Sequence, residues 1–373
     1  MTASNEDKVI VTEHATACGA CFGQLTLNKP KALNALDLEM ATTMLKVLQQ
    51  WQDRQDLLFV VIDAVGQRAF CAGGDIVSMY RAMVDQCEGT PEFIRQFFTK
   101  EYELDFSLHT YPKPIVVFAD GIVMGGGMGL LAGASHRVVT ENTTMAMPEI
   151  TIGLFPDVGA SYFLPRLPGN AGLFLGLTAA KLNGVEACYL SLADHMVASA
   201  SKETLLQNWK NTAWEIPITD VLTATVSALS NNRGQENRVV RWQPAIETVC
   251  DGTTVSEVVS RIGKIDSGGD QWFDTARHSL FSGSAISAAI FFEQYNRGKH
   301  LDLAACFRME LDMACRCAEY GELQEGIRAL LIDKDNRPAW RFNRVEDVPE
   351  QLVAYFFDSP WRQTEHPLAG LSQ

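Results

Sequence analysis

The chain has no apolar run near the roughly 18 residues needed to cross a bilayer; its longest hydrophobic stretches are broken by Gly, Ser or charge. It has no GxSxG elbow, so the usual serine hydrolase arrangement lacks its nucleophile. Only 7 His occur among 373 residues, and none falls in HExxH spacing. Cys18-Gly-Ala-Cys21 stands alone, without two further ligands at zinc spacing, so no metal is expected. Basic residues are outnumbered, 31 Lys and Arg against 45 Asp and Glu, giving a net charge of −14. That balance argues against wholesale binding to nucleic acid or an anionic membrane, while leaving room for a local basic patch. The start, MTASNEDKVIV, has neither a basic end with a hydrophobic stretch nor Arg-rich character. No secretory or transit segment is read there, and the nine Cys read as reduced thiols of a cytoplasmic protein.

What is present fits a folded globular protein: 47% hydrophobic and 20% charged, with a length that suits one large domain or a main domain and a smaller one. Two short strands are expected within residues 9–27. A helix is expected over 37–54, with Asp37 as N-cap and Met40, Met44, Leu45, Leu48 and Trp51 on one face. LLFVVIDAV (57–65) and PIVVFADG (114–121) are continuous apolar runs of strand length, as in strands buried on both faces. Strand and helix patterns alternate to about residue 200, which gives an α/β class, and the remainder is mainly helical. The expected organisation is therefore a core over 1–205 and a helical region over 206–373.

Three features could carry chemistry. Gly127-Met-Gly129-Leu-Leu-Ala132, with Glu149 further on, superficially fits a dinucleotide fingerprint. However, Ile122–Met124 intervene where the fingerprint needs a tight strand-to-helix turn. The glycines of MGGGMG (124–129) and of FCAGGD (70–75) have a second use. Exposed N–H groups at a helix start and at a turn can converge on one carbonyl oxygen and form an oxyanion hole. The bland alternative is two tight turns. The third feature is the pair Glu149 and Asp157, each preceded by Pro within an otherwise apolar stretch. Acids in such surroundings are costly unless paired or used, although Asp157 could instead cap a helix from Val158.

Together these segments resemble a known pattern. FCAGGD, KPIVVFADGIVMGGGMGL (113–130) and MPEITIGLFPDVGASYFLPRLPG (147–169), opened by LNKPKALNAL (27–36), are similar to the crotonase, or enoyl-CoA hydratase/isomerase, superfamily over about residues 8–200. Within it the chain looks most like the 3-hydroxyisobutyryl-CoA hydrolase subfamily. The shared marks are FPD with Asp157, the FFTKEY segment ending in Glu101-Tyr102, and EGIRALLIDKDNRPAW (325–340) in a long C-terminal extension.

The resemblance implies a crotonase-like spiral of ββα units with a helical C-terminal region. It implies an acyl-CoA substrate whose thioester carbonyl is held by the backbone N–H groups of Ala72 and Gly126. Glu149 and Asp157 match the hydrolase's catalytic acids, and Glu101 matches a residue contacting the substrate. No cofactor is implied, CoA being part of the substrate; trimers or pairs of trimers are common among members, so a homo-oligomer is compatible. Hydratases use two glutamates, and the first falls here at Gly129, which has no side chain to titrate. The expected reaction is thus hydrolysis of 3-hydroxyisobutyryl-CoA, or a close 3-hydroxyacyl-CoA, as in valine catabolism. An enoyl-CoA isomerase or hydratase of the same superfamily and a non-catalytic acyl-CoA-binding protein are the alternatives.

Overall fold

The paired runs at the start of the chain form β1 (Val9–Ala15) and β2 (Cys21–Leu27), antiparallel from Val9↔Leu27 to Ala15↔Cys21. The computed structural model describes residues 7–86, 88–214, 217–231 and 234–372. The two continuous apolar runs become β3 (Leu57–Ala64) and β5 (Ile115–Ala119), separated in sequence by the short β4 (Ala69–Cys71). There follow β6 (Ile122–Met124), β7 (His136–Thr140), β8 (Thr144–Ala146) and β9 (His195–Val197).

A six-stranded sheet has the order β1-β2-β3-β5-β7-β9, and a three-stranded sheet has the order β4-β6-β8. From β3 onward, successive strands enter the two sheets in turn, so each repeat places one strand in each sheet. Neighbours in the large sheet beyond β2 are parallel, which requires crossover connections in place of hairpins.

The expected helix is Leu38–Gln52, and Asp37 caps it by accepting from the Met40 N–H at 3.0 Å. Its five expected apolar residues are all buried. It packs closely on β2: a Cβ at Gly23 would lie 2.4 Å from the Trp51 ring.

The chain falls into two compact units, each discontinuous in sequence. The first comprises the residues up to Gly74 with Leu104–Met145 and Leu182–Asn237, and it holds the large sheet and all of the small one but Ala146, the last residue of β8. The second comprises Asp75–Glu103, Ala146–Lys181 and the residues from Arg238, and it is built of helices and loops. The expected division at 205 follows secondary structure more than packing. Among the described residues no strand follows β9, yet the helices Ser201–Asn211 and Ile218–Ser227 belong to the first unit. There Leu205, Leu206, Trp209, Leu222 and Val226 cover Phe22, Phe59, Val61 and Val116 of the large sheet. Trp209 meets Phe59 edge-on at 5.5 Å between ring centroids. Conversely, the connections 75–103 and 146–181 cluster with the C-terminal helices, because both are long excursions between strands.

Candidate active site

The second unit gathers the acids. Glu149 opens the short 3-10 helix Glu149–Ile152, which ends in the left-handed Gly153 (φ 73°). A Cβ on Gly153 would lie 2.5 Å from the Glu322 carbonyl, and one on Gly326 would lie 2.4 Å from Ile152. Glycine at both places lets the C-terminal helix Glu322–Ile327 lie directly against this turn. Ser284 N–H also donates to the Ile150 carbonyl at 3.0 Å. The segment 325–340 holds itself in place around Arg328, whose guanidinium pairs with Glu325, Asp333 and Asp335. A part of the sequence distant from the acids along the chain thus lies against the turn that carries one of them.

Both Glu149 and Asp157 are 4% exposed. Asp157 accepts a hydrogen bond from the Tyr102 hydroxyl at 2.8 Å. Oε2 of Glu149 is buried and has no hydrogen-bond partner among the described residues. Burial pushes Glu149 well above the usual carboxylate range, and the charge of Asp157 adds to that. Burial likewise lifts Asp157, to about 7, although the Tyr102 hydroxyl favours its ionised form. The hydrogen bond from Tyr102 thus favours the ionised form at Asp157, and no comparable side-chain bond favours it at Glu149 among the described residues. Glu101, the residue before Tyr102 on the helix Glu92–His109, is also buried.

The capping alternative for Asp157 is not realised. The helix Ala160–Phe163 has Gly159 as its N-cap, without a side-chain bond, and the Asp157 carboxyl faces Tyr102 instead. Glu310 was not anticipated from the sequence, nor was the part played by Tyr102. Tyr102 lay inside a segment already singled out. Glu310 interrupts the otherwise apolar buried stripe of the helix Leu303–Tyr320, and an acid in such a stripe was the available signal.

The first unit carries the backbone donors. The helix Gly126–Ala132 begins directly after β6. Its start lies against the 70–74 turn: a Cβ on Gly127 would lie 2.3 Å from the Cys71 carbonyl oxygen. The two glycine segments are therefore neighbours. The N–H of Gly126, in the first helical turn, has no acceptor among the described residues. Ala72 differs from expectation, because its N–H donates to the Leu33 carbonyl at 3.1 Å. The next two amides, of Gly73 and Gly74, have no acceptor among the described residues. The direction of a turn's hydrogen bonds is not written in its composition. Gly127→Ala should lower stability by about 1–3 kcal/mol, because the added methyl must push the helix off the turn. Thermal unfolding checks this, and an unchanged Tm would show that the two segments are not in close contact.

Residues 122–124 form β6, and Gly127 and Gly129 lie buried inside the helix that follows, so the glycines of the dinucleotide fingerprint stand within the helix and not in the turn before it. Cys18 is exposed and Cys21 half-buried, and neither is paired with another thiol among the described residues. Among the described residues no group of His, Cys, Asp and Glu is arranged to hold a metal, and no helix is long and apolar enough to cross a membrane.

Residues 22–357 match the family described as enoyl-CoA hydratase/isomerase. The 3-hydroxyisobutyryl-CoA hydrolase, mitochondrial, of Danio rerio is 37% identical over 343 residues, 90% of this chain and 87% of the relative. That of Xenopus tropicalis is 35% identical over 340 residues, 91% of this chain and 87% of the relative. A solved structure described as an enoyl-CoA hydratase from Rhodobacter sphaeroides 2.4.1 is 31% identical. It superposes with a TM-score of 0.82, covering 95% of this chain and 98% of its own.

Proposed function

Because the chain belongs to the enoyl-CoA hydratase/isomerase family, we propose that it hydrolyses the thioester of 3-hydroxyisobutyryl-CoA, or of a close 3-hydroxyacyl-CoA, to the free acid and CoA. The observation that carries this reading is the buried acid pair: Asp157 is held by Tyr102 while Glu149 keeps an oxygen with no partner among the described residues. A structural acid would be saturated with hydrogen bonds, whereas a base or nucleophile needs an open lone pair.

Thioester hydrolysis asks for an electrophile and a nucleophile. Polarisation of the carbonyl falls to the Gly126 N–H together with an amide of the 72–74 turn. Ala72 spends its N–H on Leu33, so Gly73 or Gly74 is the better second donor. Losing one donor of this kind typically costs about 10²–10³ in rate. Glu149 drives the scission, as nucleophile on the acyl carbon or as base for the water that attacks it. The C–S bond then breaks, the thiolate leaves with its electron pair, and water supplies the oxygen of the new carboxylate. Asp157 orients the attacking group, and Glu101 takes the substrate's 3-hydroxyl. Gly129 leaves no second carboxylate at the position hydratases use, which disfavours hydration of a double bond. The hydrolase name of the relatives supports a step of valine breakdown, and we take the compartment to be the cytoplasm.

A panel of acyl-CoAs tests the assignment by free thiol released and acid formed. The 3-hydroxyacyl thioesters should turn over fastest. Double-bond migration or hydration without thiol release would favour the isomerase or hydratase reading instead.

Tyr102→Phe gives a sharper check on the pair. Removing a hydrogen bond to a charged group forfeits about 1.5–3 kcal/mol of support for the Asp157 anion. Asp157 should then titrate higher, and the acid limb of the kcat/KM profile should move up by about one to two pH units. A limb that stays in place or moves down would show that Tyr102 does not set this ionisation.

A further inference from the structure

A helix start normally finds its acceptor in the residue just before it, and an aspartate near this turn is a favoured choice. Here Asp157 does not serve. The two amides at the turn point elsewhere: Gly159 N–H donates to Oε2 of Glu310 at 2.7 Å, and Ser161 N–H donates to Oε1 of the same group at 2.8 Å. Glu310 comes from the helix Leu303–Tyr320 and is fully buried. Gln294, also fully buried, donates to the Pro156 carbonyl at 2.6 Å and to the Ser161 hydroxyl at 2.8 Å. Between these holds lies Val158, a β-branched residue at φ 55°, in the left-handed region that such residues avoid. A strained residue next to a functional acid persists only where its surroundings over-determine it.

We infer that Glu310 is a positioning residue: it caps the 159–161 turn from another helix, holds Val158 in its unfavourable conformation, and so leaves the Asp157 carboxyl free for the reaction. This rests on the proposed role of Asp157. A carboxylate suits the task because it offers two acceptors in one group, whereas a glutamine offers one acceptor and turns an NH₂ toward the other amide. The titratable groups facing Glu310 are Asp157 on the loop, Tyr102 on the helix Glu92–His109 and Cys306 on its own helix.

The test is Glu310→Gln in the full chain, beside Glu310→Asp, which keeps both acceptors on a shorter stem. Ile246→Ala, a buried aliphatic truncation in the helix Arg238–Val249, serves as a control for general destabilisation. Misplacement of a reacting group by about 1 Å can cost on the order of 10² in rate. Glu310→Gln should therefore lower kcat for thiol release roughly 10- to 100-fold, with KM little changed. Backbone amides in the 155–163 peptide should exchange faster with solvent deuterium. Glu310→Asp should fall between it and wild type in both readouts; if Glu310→Gln fails to fold, a lower kcat and faster exchange in Glu310→Asp carry the inference. Unchanged kcat and exchange in the folded variants would overturn it, as would an equal loss of kcat in Ile246→Ala at a matched fall in Tm. If wild type releases no thiol from any substrate, the proposed function falls, and the amide exchange still decides whether Glu310 holds the turn.

Discussion

Glu149→Gln should reduce thiol release from 3-hydroxyisobutyryl-CoA by about 10³-fold or more, the range expected when a positioned base or nucleophile is lost. That is about 4 kcal/mol of barrier. Gln has the same shape, so the fold loses little, and Oε2 of Glu149 makes no hydrogen bond among the described residues that the change could break. Stability should move the opposite way from activity. The Glu149 carboxyl is pushed up on folding, so its charge opposes the native state once the pH exceeds its unfolded value. The variant should therefore have a Tm at or above that of wild type at neutral and higher pH, with the gap closing in acid. A variant that lost activity together with Tm would point to collapse of the turn, and turnover within threefold of wild type would remove Glu149 from the chemistry.

Asp157→Asn should separate three effects. Its kcat should fall by about 10- to 100-fold, the scale for an orienting group, with a smaller change in KM. Its acid limb should shift to lower pH, because the charge that helps raise Glu149 is gone. This is opposite in sign to the shift expected for Tyr102→Phe, and the two variants together show whether the carboxyls are coupled as the geometry implies. Its stability should also rise. Folding lifts Asp157 from its ordinary value to about 7, so its favourable contribution is complete in acid below the unfolded value and is lost as the pH rises through about 7. The full burden above that pH is at most about 4 kcal/mol. Because Asn keeps a partner for Tyr102, a gain on the order of 2 kcal/mol, or a few degrees in Tm, is the reasonable expectation at pH 8. Equal Tm values at pH 8, or a gain only in acid, would contradict the burial argument.

Local signals were readable where local physics decides the outcome. Asp37 as a cap, the five apolar residues of its helix, and the continuous runs of β3 and β5 all follow from spacing and composition. Glu149 and Asp157 stood out because carboxylates within an apolar stretch require a reason. The rest depends on partners distant in sequence. Tyr102 lies 55 residues from Asp157, and Glu310 lies 151 residues from Gly159, so no periodicity links them. Ala72 shows the same limit at short range, because its amide was spent by the path of the chain at Leu33. The division at 205 tracked the end of the strands, whereas the packing drew 75–103 and 146–181 toward the C-terminal helices.

The central claim is that Glu149 drives the scission of an acyl-CoA thioester. Purified wild-type protein should be mixed with 3-hydroxyisobutyryl-CoA while thiol and free acid are followed side by side, with Glu149→Gln run in parallel. The account predicts one thiol and one acid per substrate consumed in wild type and almost none in the variant. Consumption without thiol, or equal release by both proteins, would contradict it.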